Sequence, residues 1–204
     1  MAGEVKMKSL TERLRGYWDS NHIHIRSGLS PEAIQRFETQ YNVVFPSDLR
    51  EYLLVIDGMD GETDNELLEF LPLADVKPVP EELASFAGIP DYSSICDGLP
   101  DASKFFVFAD YMIRSHVYAI RLRADSHAST PVIWICGPYW SEIAPSFSAF
   151  IENYLEDFER IRFPRNRSSM RGGYSQTERW LRLVAPRLGA LSGRMLSTVA
   201  RRVG

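Results

Sequence analysis

Cysteine is nearly absent from this chain, and its scarcity excludes two classes of protein. Cys96 and Cys136 are the only two and stand 40 positions apart. That spacing forms neither a Cys-x-x-Cys redox or zinc pair nor the disulfide framework of a small secreted domain. Both are read as reduced thiols, with Cys136 closing the apolar run Val132-Ile133-Trp134-Ile135. Long apolar runs are missing too. No stretch approaches the ~20 residues that span a bilayer. The opening MAGEVKMKSLTERLRGYW carries charges where a signal peptide needs its apolar segment, so a cytoplasmic protein is expected. The chain also has no Gly-rich phosphate cradle, no Gly-x-Ser-x-Gly elbow and no His-Glu-x-x-His. No cofactor is expected, and no catalytic motif argues for an enzyme.

The composition is globular. With 204 residues and 45% apolar content, the chain can bury roughly 70% of its unfolded surface, enough for one core and an appendage. Charge divides it in two: residues 165–204 carry nine Arg against one Glu, a charge of +8 that leaves −12 for residues 1–164. The expected organisation is therefore a domain over 1–164 and an Arg-rich linker with an amphipathic helical tail over 165–204. An acidic globule gains from meeting a basic partner, because complementary fields raise the encounter rate and reject wrong partners. Nucleic acid is not expected on the globular part.

Local patterns supply the elements. Ser9-Leu10-Thr11-Glu12 has capping-box spacing and predicts a helix over 9–20. Ser30-Pro31 starts another, since Ser caps free N–H groups and Pro at the first helical position forfeits a bond that would be unmade anyway. Ile34, Phe37 and Tyr41 share its face. After Pro46-Ser47, Leu49, Tyr52, Leu53 and Ile56 recur at helical spacing until Gly58, which suits a left-handed position past a helix end. Leu67 to Leu71 reads as a strand, 75–88 as a loop leading into a helix near 81–86, and 88–104 as loop. Phe105 to Asp110 and Val117 to Leu122 read as an antiparallel hairpin, and Val132 to Ile135 as a further strand. Phe147, Phe150, Ile151, Tyr154, Leu155, Phe158 and Ile161 form the apolar stripe of a closing helix over 146–161. The fold class is α+β: a single domain with a small, mainly antiparallel sheet of four to six strands packed against helices.

Several groups invite a chemical reading. His22-Ile23-His24 would set two imidazoles on one face of a strand, but no third metal ligand accompanies them, and a solvated pair is favoured. Cys136, His116 and Asp110 can be arranged on paper as a nucleophile triad, though spacing alone carries little weight, and Cys136 is read as core. Asp57, Asp60, Glu62, Asp64 and Glu66 fall within ten residues. A calcium loop starting at Asp60 would need Gly at Asn65 and Glu at Leu71, so an EF-hand is excluded. The remaining readings are a solvated turn or a contact surface for a cationic partner. Tyr139 and Trp140, after Gly137-Pro138, are either core or exposed anchors of the kind that dominate binding energy.

In order, FETQYNVVFPSDLREYLLVIDGMDGE followed by LLEFLPL resembles the start of the SUKH superfamily, the Smi/Knr group. Its pattern is helix, aliphatic-Pro, helix, Gly, and a strand ending in Pro-Leu. The resemblance runs from Ser30 to Phe163 and departs from the pattern at the hairpin turn Asp110-Tyr111-Met112-Ile113-Arg114, where Gly-Asp or similar residues are usual. It implies a non-enzymatic immunity protein that binds and neutralises a toxin domain, often a nuclease or deaminase. The candidate contacts are the five acidic loop residues together with Tyr139 and Trp140. The alternative it implies is a regulatory scaffold like the fungal members, recruiting a signalling partner or membrane through the tail. In that tail Ser175-Gln176-Thr177-Glu178 opens a possible helix, kinked at Pro186. Arg179, Arg182, Arg187 and Arg194 are its candidate contacts with an anionic membrane, with nucleic acid, or with its own acidic domain, the last or a protein partner being favoured.

Overall fold

A computed structural model describes residues 2–125 and 129–164, with side chains from Leu10 onward. The chain begins with α1 (Ala2–Ser20), β1 (Ile25–Ser27), α2 (Pro31–Tyr41) and α3 (Ser47–Val55), and runs directly into β2 (Ile56–Met59). Next come β3 (Leu68–Phe70), β4 (Lys77–Pro78), α4 (Val79–Leu83) and α5 (Ile95–Gly98). The strands β5 (Phe105–Tyr111), β6 (His116–Arg121), β7 (Val132–Cys136) and β8 (Tyr139–Ala144) precede α6 (Phe147–Glu156) and α7 (Glu159–Arg162). The expected α+β class holds: six strands form one antiparallel sheet in the order β3-β5-β6-β7-β8, with β4 also on β5, while β1 and β2 pair separately.

Capping works at Ser30 and Ser146 but not at Ser9, because α1 already begins at Ala2 and Ser9 lies inside the helix that it was expected to open. Ser30 accepts the Ala33 N–H and Pro31 opens α2, which ends on a left-handed Asn42. Ser146 likewise caps α6 by accepting the Ala149 N–H. Gly58 does hold a left-handed φ of 72°, but inside β2 rather than past a helix end. A Cβ there would sit 2.6 Å from the Phe70 oxygen and the Leu71 carbonyl carbon, so a close backbone approach requires glycine.

Helices α1, α3 and α6 cover one face of the sheet. Trp18, Phe70, Phe108, Phe147 and Phe150 pack there as edge-on and tilted rings. The other face, Val107, Val117, Ala119, Ile133 and Ile135, is covered by Val79 and Leu83 of α4 and by Tyr92, Ile95 and Leu99. The last three come from the stretch read as plain loop. It folds over the sheet because its scattered apolar residues find a hydrophobic face that only the assembled strands present.

The closing helix is divided. Asp157 leaves helical geometry, and its side chain accepts the Glu159 N–H, offering the backbone a local alternative to helix continuation. The stripe survives the break, since Phe158 still meets Tyr111 and Ile161 is fully buried. β8 extends a strand count that the sequence reading stopped at β7. Gly137, at φ 56°, and Pro138 make a two-residue hairpin loop between Cys136 and Tyr139.

Candidate functional site

The acidic stretch from Asp57 in β2 through the loop to β3 separates into a buried frame and an exposed rim. Asp57 is 5% exposed; its Oδ1 accepts the Leu73 N–H at 2.7 Å, and its Oδ2 lies 3.6 Å from Arg26. Asp64 is 3% exposed. One of its oxygens accepts the N–H groups of Glu66 and Leu68, each at 2.8 Å, and the other accepts the Tyr154 hydroxyl at 2.6 Å. Tyr154 in turn accepts the Trp18 indole N–H at 2.9 Å. This buried chain of donors ties α1 and α6 to the loop. Burial raises the Asp57 and Asp64 carboxyls above their ordinary range, even though these hydrogen bonds pull the other way.

Asp57 and Asp64 are thus withdrawn from the surface on which the sequence reading put them. Asp60, Glu62 and Glu66 remain exposed. Two basic side chains at β1 face them: the Glu62 carboxylate lies 2.9 Å from His24 Nδ1, and Asp60 lies 3.5 Å from the Arg26 guanidinium. The Asp60 N–H donates to the His24 carbonyl, and Asn65 donates to Asn21 at 2.8 Å. The hydrogen bond and charge of Glu62 raise the His24 imidazole above its ordinary value, and Glu62 is lowered in return. The rim is a carboxylate-rich surface stapled to the α1–β1 connection. Its chemistry suits attraction of a cationic surface rather than bond making. Among the described residues no group of three or more His, Cys, Asp or Glu is placed to hold a metal ion.

The other candidates sit in or against the core. Tyr139 is buried, and Trp140 is half-buried against the second-face cluster, with its indole N–H donating to Gly98 at 2.9 Å. Cys136, His116 and Asp110 do not assemble a triad. Asp110 pairs with Val117 and Tyr111 with His116, and successive residues of a strand point to opposite faces, so Asp110 lies across the sheet from His116. Burial also raises the Cys136 thiol far above its ordinary value, and His116 Nε2 is engaged by the Tyr118 hydroxyl at 3.0 Å. Arg179, Arg182, Arg187 and Arg194 lie outside the described residues.

A family model described as SMI1 / KNR4 family (SUKH-1) matches residues 28–153. This chain belongs to the SMI1/KNR4 family. No curated protein matches it. The SUKH-1 match takes in α2, α3 and the whole acidic loop, the order of elements from which the sequence resemblance was drawn. It stops short of Trp18, His24, Arg26 and Tyr154, the residues that anchor and partly neutralise the loop. No helix among the described residues is long and apolar enough to cross a membrane.

Proposed function

We propose that this SUKH-1 chain is a non-enzymatic immunity protein that binds a basic toxin domain, of nuclease or deaminase type, and neutralises it by covering its working surface. The single observation that supports the reading most is the form of the acidic loop. Asp60, Glu62 and Glu66 stand on the surface of a frame anchored by two buried carboxylates. A negative rim that is already ordered loses little entropy on meeting a positive partner, and the −12 charge of residues 1–164 steers the encounter. Occlusion needs no catalytic group, in keeping with the burial of Cys136 and His116.

The test is capture of partners from native lysate by the tagged full chain at low and high salt, followed by affinity measurement with the purified partner. A basic toxin domain released by salt is the expected result. Reversal of Asp60, Glu62 and Glu66 to Lys should raise Kd by at least about tenfold and flatten its salt dependence. Unchanged binding by that variant would remove the loop from the interface. Retention of signalling or envelope proteins, or of lipid, in place of a toxin would replace the immunity reading with that of a regulatory scaffold.

A further inference from the structure

The hairpin joining β5 to β6 turns through Met112, Ile113 and Arg114, and all three hold left-handed backbone, with φ of 50°, 54° and 60°. None is glycine, asparagine or aspartate, the residues that tolerate this region, and a β-branched isoleucine is among those least suited to it. Such strain persists only where the surroundings impose it.

Here the imposing contacts are specific. Asp110 accepts the Arg114 N–H at 2.6 Å, and the Tyr92 hydroxyl donates to the Arg114 carbonyl at 2.9 Å. The Arg114 guanidinium pairs with the Glu82 carboxylate, donates to the Glu82 carbonyl at 3.2 Å, and lies 5.8 Å over the Phe86 ring. With Arg114 held in this way and the Met112 N–H donating to the Leu67 carbonyl at 3.0 Å, Ile113 between them is 89% exposed. The other strongly exposed large apolar residue among the described residues, Ile89 at 80%, follows Gly88, whose backbone packs against the same Phe86 ring. Folding gains nothing from isoleucine at this place: a polar residue or glycine would relax the backbone and leave the core unchanged.

We infer that Ile113 is a preorganised apolar anchor that inserts into a pocket of the basic toxin domain, a pocket rimmed by Lys or Arg. This rests on the immunity reading above and adds a second contact site to the acidic loop. Charge selects the occupant. Asp110 and Glu82 sit beneath the turn, Glu69 lies opposite Asp110, and Asp91 is exposed on the segment whose Tyr92 bonds Arg114. Carboxylates thus outnumber the two cations there, Arg114 and Lys77, which both pair with Glu82. A second copy of an acidic domain, or an anionic membrane, would bring like charges together at this place, whereas a cationic protein surface is complementary. A rigid, desolvatable apolar side chain set among charges has the form of a binding hot spot.

The experiment compares wild type, Ile113→Asn and Ile113→Leu as full chains, by thermal unfolding and by affinity for the purified toxin domain identified by capture. Ile113→Asn should unfold at or above the wild-type Tm, because asparagine tolerates the left-handed region, yet raise Kd by about tenfold or more. Ile113→Leu should stay within about threefold of wild type. Ile113→Gly serves as a second variant if Ile113→Asn does not fold. Wild-type affinity in a folded Ile113→Asn chain, while the Asp60/Glu62/Glu66 reversal still weakens binding, overturns the anchor and leaves the immunity reading standing. Absence of any bound basic toxin domain overturns both. A dimer, or binding to anionic vesicles, that Ile113→Asn abolishes also overturns the inference, by assigning the turn to a different occupant.

Discussion

Asp64 shows how far a residue's role can lie from its local context. In sequence it is one of five acids in a polar loop, and a charge run of that kind ordinarily solvates a surface. In the fold it is an acceptor for two backbone N–H groups and a tyrosine 90 positions away, and that tyrosine serves a tryptophan 136 positions from itself. Asp64→Ala leaves three donors without an acceptor and should cost about 3 kcal/mol or more, whereas Tyr154→Phe should cost about 1–2 kcal/mol. Urea denaturation measures both. Equal and small losses would mean that water replaces the carboxylate, and the loop would lose its status as a rigid frame. Periodicity identified Tyr154 as core, but nothing local indicated that its hydroxyl needed a partner. The exposed acids Asp60, Glu62 and Glu66 were legible because a carboxylate that stays at the surface keeps its charge pattern even where distant partners such as His24 and Arg26 reach it.

At the scale of elements, capped and periodic segments were read closely and irregular ones were not. The caps at Ser30 and Ser146 act over three residues, so local sequence suffices to place them. β8 was missed because Tyr139-Trp140-Ser141-Glu142-Ile143-Ala144 looks like a strand only once β7 offers it a ladder. The segment 88–104 was missed as a sheet cover for the same reason. Gly58 lies between the two cases: its left-handed backbone was anticipated, but its purpose depends on Phe70 and Leu71 passing against it. Gly58→Ala should therefore cost about 3 kcal/mol, combining the left-handed penalty with a backbone clash, against a few tenths at an open site. A loss under 1 kcal/mol in urea denaturation would mean that β2 and β3 move apart easily.

Across the whole molecule, His116 couples folding to pH. It is 1% exposed, stacked on Tyr111 at 4.3 Å between centroids, and its Nε2 meets a Tyr118 hydroxyl that donates to Ile161. Burial first, and the nearby Arg162 charge second, hold its imidazole well below the ordinary value. The unfolded chain therefore takes up this proton first as pH falls. Stability from His116 is complete above about pH 6.5 and declines below it by up to about 1.4 kcal/mol per pH unit. Asp57, Asp64 and Asp110 are shifted upward, chiefly by burial, and act in the opposite sense: the stability they add is greatest at low pH and is lost as pH rises through their folded values. Urea unfolding at pH 7 and pH 5 should show a smaller loss for His116→Phe than for wild type, and equal losses would remove His116 as the source. Sequence alone determined the class of the fold, the capped helices, the central hairpin, the charge division and the family, because each depends on residues within a few positions of one another or on sums over the chain. Tertiary structure alone decided which acids are frame and which are rim, that Tyr139 is buried and Trp140 half-buried, and that Ile113 stands exposed in a held turn. Those outcomes depend on contacts between residues tens of positions apart, and burial is a property of the assembled surface that no single segment contains.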